Sequence, residues 1–295
     1  MKKTGFIAIV GRSNVGKSTL LNALLGEKIS IVSKKPQTTR TRITGILTQD
    51  ENQFVFIDTP GMHKPRTKLG EYMVKTVRGV IADVDIIILM VEAGITPGII
   101  ELGIIENIKK NNLPAILVIN KTDKASPEKI GETILQYAAC YDFKSVIPIS
   151  AIKNDGIDII IKETEKLLTE SDWLFPEDSL TDQPEKQLAA EIIREKLLRL
   201  LDEEIPHGTA VLIEEFIESP RILKIRAEIF CEKESHKGII IGKNGEMLKK
   251  IGSYAREDME NFFNIKVYLN LWVKVKENWR DDNFNLYNFG YNVKK

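Results

Sequence analysis

Cysteine and histidine are scarce here, two and three residues in a chain of 295. Cys140 and Cys231 stand far apart and form no Cys-x-x-Cys pair. That count and spacing exclude a disulfide framework, a zinc ribbon and a dithiol redox site, and leave two thiols of a reducing compartment. His63, His207 and His236 are too dispersed to suggest a metal cluster. Net charge is missing as well: 42 basic and 42 acidic side chains cancel, so the overall balance points to no polyanionic partner. So is a membrane-length apolar run. The most apolar stretch, "DIIILMVEAGITPGIIELGII", is broken by Glu92, Pro97 and Glu101 and is expected not to span a bilayer. The opening "MKKTGFIAIVG" meets Gly11 and Arg12 too soon for a signal peptide and reads as a buried first strand. No internal repeat or low-complexity tract is visible.

Present instead is an ordinary globular composition, 43% hydrophobic and 28% charged, on a chain long enough for two domains. The charge is unevenly placed. Residues 177–218 carry 4 basic against 12 acidic side chains, whereas residues 221–256 carry 9 against 4. Such a dipolar second half can lay RNA along one face.

The first half alternates strand-length apolar runs with helical segments. "GFIAIV" (5–10), "TRITGILTQ", "QFVFIDT", "DIIILMV" (85–91), "PAILVIN" (114–120) and "SVIPIS" (145–150) read as strands, the second and third joined by a hairpin-type turn at Asp50-Glu51-Asn52. Helices are expected from about Lys17 to Leu25, in "PGIIELGIIENIKKN" and "PEKIGETILQYAA", and near 155–169. The alternation predicts a doubly wound α/β domain with a mostly parallel sheet. We expect it over 1–170, a linker over 171–185 where two prolines and many acids interrupt the period, a second domain over 186–280 and a tail over 281–295. The second domain reads α-β-β-α-α-β, a small α+β fold.

"GRSNVGKS" (11–18) fits G-x-x-x-x-G-K-[ST] between a predicted strand and a predicted helix, the context this phosphate loop needs. Its glycines let backbone N–H groups turn toward phosphate oxygens, Lys17 supplies a point charge for the outer phosphates and Ser18 a hydroxyl for Mg²⁺. Gly11, Asn14, Val15, Gly16, Lys17, Ser18 and Thr19 are the phosphate-binding candidates. A solvated glycine-rich turn is the bland alternative, and three further stretches argue against it. "DTPG" (58–61) ends a strand, which puts the Asp58 carboxylate near the Mg²⁺ shell and the Gly61 N–H near a γ-phosphate, with Thr59 and Pro60 between them. "NKTD" (120–123) follows another strand. Asp123 can accept both Watson–Crick N–H donors of guanine, whereas adenine would set a lone pair against the carboxylate. "ISA" (149–151) can offer a backbone N–H from Ala151 to the guanine O6, so Asn120, Lys121, Asp123, Ser150 and Ala151 are the guanine-binding candidates. Each tetrapeptide is weak alone; in this order and at these strand ends they predict a GTPase.

"GRSNVGKS", "KPQTTRTRITGI", "DTPGMHKPRTKLGEYM" and "NKTD", followed by "WLFPEDSLTDQPEKQLAAEIIREKLLRLLDEEIPH", resemble the Era family of bacterial GTPases over essentially the whole chain. Pro36, Gln37, Thr38, Thr39, Arg40 and Thr41 would form the segment that closes over Mg²⁺, with Thr39 the preferred hydroxyl ligand and Thr38 the runner-up. Where many switch GTPases place a water-orienting glutamine this chain has Met62, which can do neither acid–base nor hydrogen-bond work. His63 follows, either as a catalytic group or, as in the family's GxHKP pattern, as a loop-shaping one. In related GTPases an asparagine at the Asn14 position ligates K⁺ against the phosphates, which implies slow, potassium-aided hydrolysis here; a loop-shaping Asn14 is the alternative.

Gly242-Lys243-Asn244-Gly245 looks like a second phosphate loop, but it has no Lys-Ser/Thr pair and no guanine-reading motif nearby. A G-x-x-G between two helices in an α-β-β-α-α-β domain is instead the mark of a KH fold, of the type II order, whose loop clamps about four nucleotides of single-stranded nucleic acid. Lys237, Gly242, Lys243, Asn244, Gly245, Lys249 and Lys250 are the RNA-binding candidates, with Arg256 nearby and "GIII" (238–241) expected along the groove. Asn244 departs from the second glycine more usual in such loops. The resemblance implies binding of GTP and GDP, binding of 16S rRNA near its 3′ end on the 30S subunit, RNA-stimulated hydrolysis and a monomer. It also implies a cytoplasmic location, with peripheral contact at the inner membrane's cytoplasmic face in some bacteria. Rival readings are an ATP-using enzyme, a tRNA-modifying GTPase, for which no chemistry-bearing cysteine or cofactor domain is present, and an RNA-binding protein whose nucleotide domain does not turn over.

Overall fold

The computed structural model describes residues 1–291, which form two units: Met1–Lys64 with Met73–Asp182, and Pro65–Tyr72 with the chain from Gln183 onward. The last four residues of the expected tail lie outside the described residues. In the first unit, β1 (Lys3–Val10) leads into α1 (Lys17–Leu25), then a hairpin of β2 (Ile43–Gln49) and β3 (Asn52–Asp58). There follow α2 (Lys68–Ala82), whose residues up to Tyr72 belong to the second unit, then β4 (Ile86–Glu92), α3 (Ile99–Lys110), β5 (Ala115–Asn120), α4 (Pro127–Ala138), β6 (Ser145–Pro148), α5 (Ile157–Glu165) and the short β7 (Thr169–Glu170). α2 is the one long element that the strand-and-loop reading passes over, although Leu69, Met73, Val77 and Ile81 recur at helical spacing and are all buried.

The sheet runs β2-β3-β1-β4-β5-β6. It is parallel except for β2 against β3 and for β7, which pairs with Lys3 and Thr4 where β1 has no β4 partner. β4 is apolar from Ile86 to Val91 because helices cover both faces of a parallel sheet; Ile86 through Met90 have no exposed surface. Burying each such side chain contributes about 1.5–3 kcal/mol. β1 is the strand on either side of which the connections diverge, so the crevice at its carboxyl end is where such folds bind ligands. Gly11, Asp58, Asn120 and Ser150 all follow or end strands at that edge.

The stretch 171–182 is strapped to the first unit. Gln53 Oε1 accepts the backbone N–H of Leu174 at 2.9 Å and of Phe175 at 3.0 Å. Ile46 N–H donates to the Leu180 carbonyl at 2.8 Å, and the Thr181 hydroxyl donates to the Thr44 carbonyl at 2.6 Å. Part of what reads as linker thus covers the otherwise free edge of β2, and the division between units falls between Asp182 and Gln183.

The second unit comprises α6 (Glu185–Leu200), β8 (Ala210–Ser219), β9 (Ile222–Cys231), α7 (Glu234–Ile241), α8 (Glu246–Phe263), β10 (Lys266–Val275) and α9 (Asn283–Asn288), the last lying in the expected tail. This is the α-β-β-α-α-β order, with a sheet ordered β10-β9-β8. Period 2 on β9 and period 4 on α8 meet in one core: Leu223, Ile225, Ala227 and Ile229 pack with Ile251, Ala255 and Met259 and with Ile193 and Leu197 of α6. Among the described residues no helix is long and apolar enough to cross a membrane.

Candidate functional site

A pocket of about 480 Å³ opens at the carboxyl edge of the first sheet. Asn14, Gly16, Lys17, Ser18 and Thr19 line one end, Asn120, Lys121, Asp123 and Ala151 the other, and Gln37, Thr38, Thr39 and Gly61 one side. Gly16 has φ 107°, and a Cβ there would collide with the Asn120 amide, so the turn into α1 admits only glycine. Lys17 is 6% exposed and donates to the carbonyls of Arg12 at 2.8 Å and Gly11 at 3.3 Å. Burial pulls its pKa down to about 8, against the pull of the Asp58 charge upward. A desolvated cation of this kind gains strongly from arriving phosphate oxygens.

Beneath it lies a cluster of hard oxygens. Ser18 Oγ is 2.6 Å from Asp58 Oδ2 and 2.8 Å from Thr39 Oγ1, and Ser30 Oγ donates to the same carboxylate oxygen at 3.0 Å. Asp58 is fully buried; burial raises its pKa, while Lys17 and the three hydroxyls oppose that rise. Its Oδ1 has no hydrogen-bond partner among the described residues. An orphaned carboxylate oxygen beside two hydroxyls is a donor set that fits Mg²⁺. The Thr38 hydroxyl is engaged elsewhere, donating to the Lys35 carbonyl at 2.7 Å. Pro36, Arg40, Thr41 and Pro60 do not line the pocket. Thr59 does not either; its hydroxyl, fully buried, donates to the Ile9 carbonyl at 2.8 Å.

Asn120 joins the two ends. Its Nδ2 donates to the Val15 carbonyl at 2.8 Å and its Oδ1 accepts the Ala151 N–H at 3.0 Å, so one 4%-exposed amide fixes both the phosphate loop and the loop at the base end. Ser150 is buried and acts on Asp123: its hydroxyl donates to Oδ1 at 2.7 Å and is the main cause of a lowered carboxylate pKa. Lys121, with φ 65°, pairs with Glu92 at 2.6 Å. Asn120→Ala leaves a buried carbonyl and a buried N–H unpaired, a cost of about 2–4 kcal/mol. In thermal unfolding the transition of the first unit is then expected about 5–10 °C lower, with faster GDP release; an unchanged midpoint and release rate would count against this role.

Met62 is half-buried and packs against the sheet core, and its N–H donates to the Gly11 carbonyl at 3.0 Å. His63 makes two contacts, Nδ1 to the Gly61 carbonyl at 2.9 Å and Nε2 to Gln37 Nε2 at 3.3 Å. One tautomer satisfies both, with Nδ1–H donating and Nε2 accepting from the Gln37 amide. His63 therefore clasps the 36–41 segment to the 58–63 segment, and its lone pair is engaged. Asn14, with φ 65°, donates Nδ2 to the Lys34 carbonyl at 3.0 Å and keeps its Oδ1 for another partner. The motif reading passed over Ser30 and the pocket-lining run Ile31–Lys34. No motif marks Ser30; only its place just before the threonine-rich segment hints at it.

In the second unit the glycine loop joins α7 to α8. Gly242 has φ 74°, and a Cβ would come within 2.7 Å of the Met247 Cβ and 2.9 Å of its N. Asn244 has φ 53°, the left-handed region that asparagine tolerates better than other side-chain-bearing residues, and both glycines of the G-x-x-G, Gly242 and Gly245, are present. A groove of about 540 Å³ runs beside the loop, walled by Gly245, Leu248, Lys249, Gly252, Ser253 and Arg256 on one side and by residues 267–271 of β10 on the other. Of the expected RNA-binding residues only Gly245 and Lys249 line it; Lys237, Gly242, Lys243, Asn244 and Lys250 lie off it, as do residues 238–241. Those four complete the last turns of α7, with Ile240 in the core and Ile239 half exposed. The expectation that they line the groove is corrected by that helical register. The β10 wall belongs to the edge strand of its sheet, a place in the strand order that no local motif marks.

Residues 6–121 match the protein family described as 50S ribosome-binding GTPase, and residues 204–280 match the KH domain. The chain is 52% identical over 294 residues to the GTPase Era of Ruminiclostridium cellulolyticum, covering 99% of each. It is 51% identical over 292 residues to the GTPase Era of Clostridium kluyveri, covering 99% of this chain and 100% of the relative. Among solved structures it resembles Era in complex with MgGDPNP and nucleotides 1506–1542 of 16S ribosomal RNA, with a TM-score of 0.95, 42% identity and 99% of each chain covered. A point variant of Aquifex aeolicus Era bound to GDP.AlF4− gives a TM-score of 0.94 at 42% identity, covering 98% of this chain and 99% of that one.

Proposed function

Because the chain belongs to the Era family of GTPases, we propose that it is a GTP-hydrolysing switch that holds 16S rRNA near its 3′ end and assists assembly of the small ribosomal subunit. The observation that carries the nucleotide half is one pocket lined by both Lys17 and Asp123, a phosphate-holding cation and a guanine-reading carboxylate. The Era complex with 16S rRNA nucleotides supports the RNA half, together with a groove edged by Lys249 and Arg256 beside Gly242–Gly245. The family description of residues 6–121 names the 50S particle, but that match covers one domain shared by many GTPases. The whole-chain similarity to Era weighs more and favours the small subunit.

In this reading Lys17 and the backbone N–H groups of the 11–18 loop hold the β- and γ-phosphates, and Gly61 offers its N–H to the γ-phosphate. Ser18 and Thr39 would hold Mg²⁺, with Asp58 anchoring both hydroxyls. The metal supplies charge neutralisation along the phosphates as the terminal bond breaks. With Met62 packed against the core and the His63 lone pair on Gln37, backbone groups position the attacking water, so intrinsic hydrolysis is slow. Asn14 Oδ1 would hold K⁺ against the phosphates, the place an arginine finger takes in other GTPases. The chain's place of work is the cytoplasm, where its rRNA partner is.

The test is steady-state GTP turnover by the full chain in KCl and in NaCl at equal ionic strength, with and without an oligonucleotide of the 16S rRNA 3′ end. We expect turnover that rises with the oligonucleotide and is faster in KCl, and none from Lys17→Ala. Equal rates in the two salts would remove the potassium role. Absent turnover under every condition, with RNA binding intact, would leave an RNA-binding protein whose nucleotide domain only regulates.

A further inference from the structure

Tyr268 and Trp272 stand on β10 with 57% and 59% of their surface exposed, on the sheet face away from α6, α7 and α8. Alternation along β10 sends Val267, Leu269, Leu271 and Val273 to the core and the even-numbered residues outward. Four residues apart on one strand, the two rings lie about 13 Å apart along the same face. Neither contributes to the core, so their apolar area is left in water with no gain to the fold.

We propose that this outer face is a second binding surface for single-stranded RNA, on which bases that leave the groove stack against Tyr268 and Trp272. The proposal rests on the RNA reading of the groove given above. Continuity is the first argument. β10 is an edge strand, and Tyr268 itself lines the groove with residues 267–271, so a strand of RNA in the groove reaches the outer face by crossing one unpaired strand edge. Chemistry between the rings is the second. Asn270 lies between them on the same face, with an amide that can bond a base edge. Lys224 is the cross-strand neighbour of Tyr268 and Arg226 that of Asn270.

Charge says what kind of contact this is. Arg226 pairs with Glu215 at 2.8 Å, Lys274 pairs with Glu228, and Lys266 reaches Glu260 at 3.5 Å. Most of the face's cations are thus already matched, so phosphate attraction there is weak and stacking supplies the affinity. Aromatics on an open sheet face, beside a charged track for the backbone, are a recurrent way of holding single strands.

Binding of a tetranucleotide and a decanucleotide from the 16S rRNA 3′ end to the full chain, followed by fluorescence anisotropy, tests the proposal. Trp272→Ala is expected to weaken the decanucleotide about tenfold and leave the tetranucleotide unchanged, with Trp272→Phe restoring most of the loss. The log–log salt slope should be the same for wild type and Trp272→Ala, because stacking releases no counterions. Decanucleotide affinity unchanged by Trp272→Ala, or both RNAs weakened equally, would overturn the proposal, including the case in which a protein occupies the face. Gly242→Asp reports on the groove separately. If that variant binds both RNAs as wild type does, the groove reading fails and the continuity argued here fails with it.

Discussion

Asp123→Asn is expected to lower GDP affinity on the order of a thousandfold, because two charge-assisted hydrogen bonds from the guanine edge lose their acceptor. The carboxylate is prepared for that edge. Ser150 holds Oδ1 at 2.7 Å, leaving the side chain oriented with its remaining lone pairs toward the pocket. In the variant the amide can still take the Ser150 hydroxyl on its oxygen, so its NH₂ faces the two guanine donors. Xanthine carries an oxygen where guanine carries the exocyclic amine, so xanthosine diphosphate should bind the variant better than the wild type. Asp123 is exposed, and the exchange should leave the fold and the phosphate contacts of Lys17 intact. Titration of GDP, ADP and xanthosine diphosphate against both proteins decides it. GDP affinity within threefold of wild type would mean that guanine is read elsewhere.

That prediction depends on residues the sequence made readable. Phosphate and base contacts are made by single side chains at the ends of strands, and each strand announces itself by a continuous apolar run. Lys17 lies about a hundred positions before Asn120 and Asp123, which share one loop, yet the α/β alternation alone is enough to bring the two segments to one edge. Thr39 over Thr38 was a preference in the reading and is a geometric difference in the structure, because Thr39 reaches Ser18 while Thr38 turns back to the Lys35 carbonyl.

What the sequence hid has a common cause: it is done by backbone, or by polar residues whose partners are remote. The strap 171–182 looks like a linker because its hydrogen bonds go to Gln53, Ile46 and Thr44, more than a hundred positions away. The groove wall on β10 depends on that strand's place at the sheet edge, which the sequence does not mark. "GIII" looks like a groove lining by composition, but helical register sends Ile240 inward. Tyr268 and Trp272 read as ordinary strand residues until the register of β10 and their exposure place them on the outer face of the sheet. The left-handed φ of Asn244 is likewise invisible in the sequence.

Gly242→Asp is expected to weaken binding of the 16S rRNA 3′ end on the order of a hundredfold while leaving GDP affinity unchanged. Two costs combine. A side chain at φ 74° and ψ 175° is held in a region open essentially to glycine alone, at about 1–3 kcal/mol. Its Cβ would also sit 2.7 Å from the Met247 Cβ, so the start of α8 must move, and α8 carries Lys249 and Arg256 along the groove. The new carboxylate then repels the backbone the loop is meant to clamp. For about four phosphate contacts on a single strand the log–log salt slope is about −3, and it should fall to about −1.5 if half of them are lost. Gly245→Ala separates the causes. Gly245 has φ 78° but nothing within 4 Å of a Cβ, so it bears the conformational cost alone and should lose about fivefold. Both variants keep the core of Ile193, Ile225, Ile251 and Met259, and circular dichroism should show the second unit folded. Equal, small losses at the two glycines would mean that the loop bends the chain between α7 and α8 and does not hold RNA.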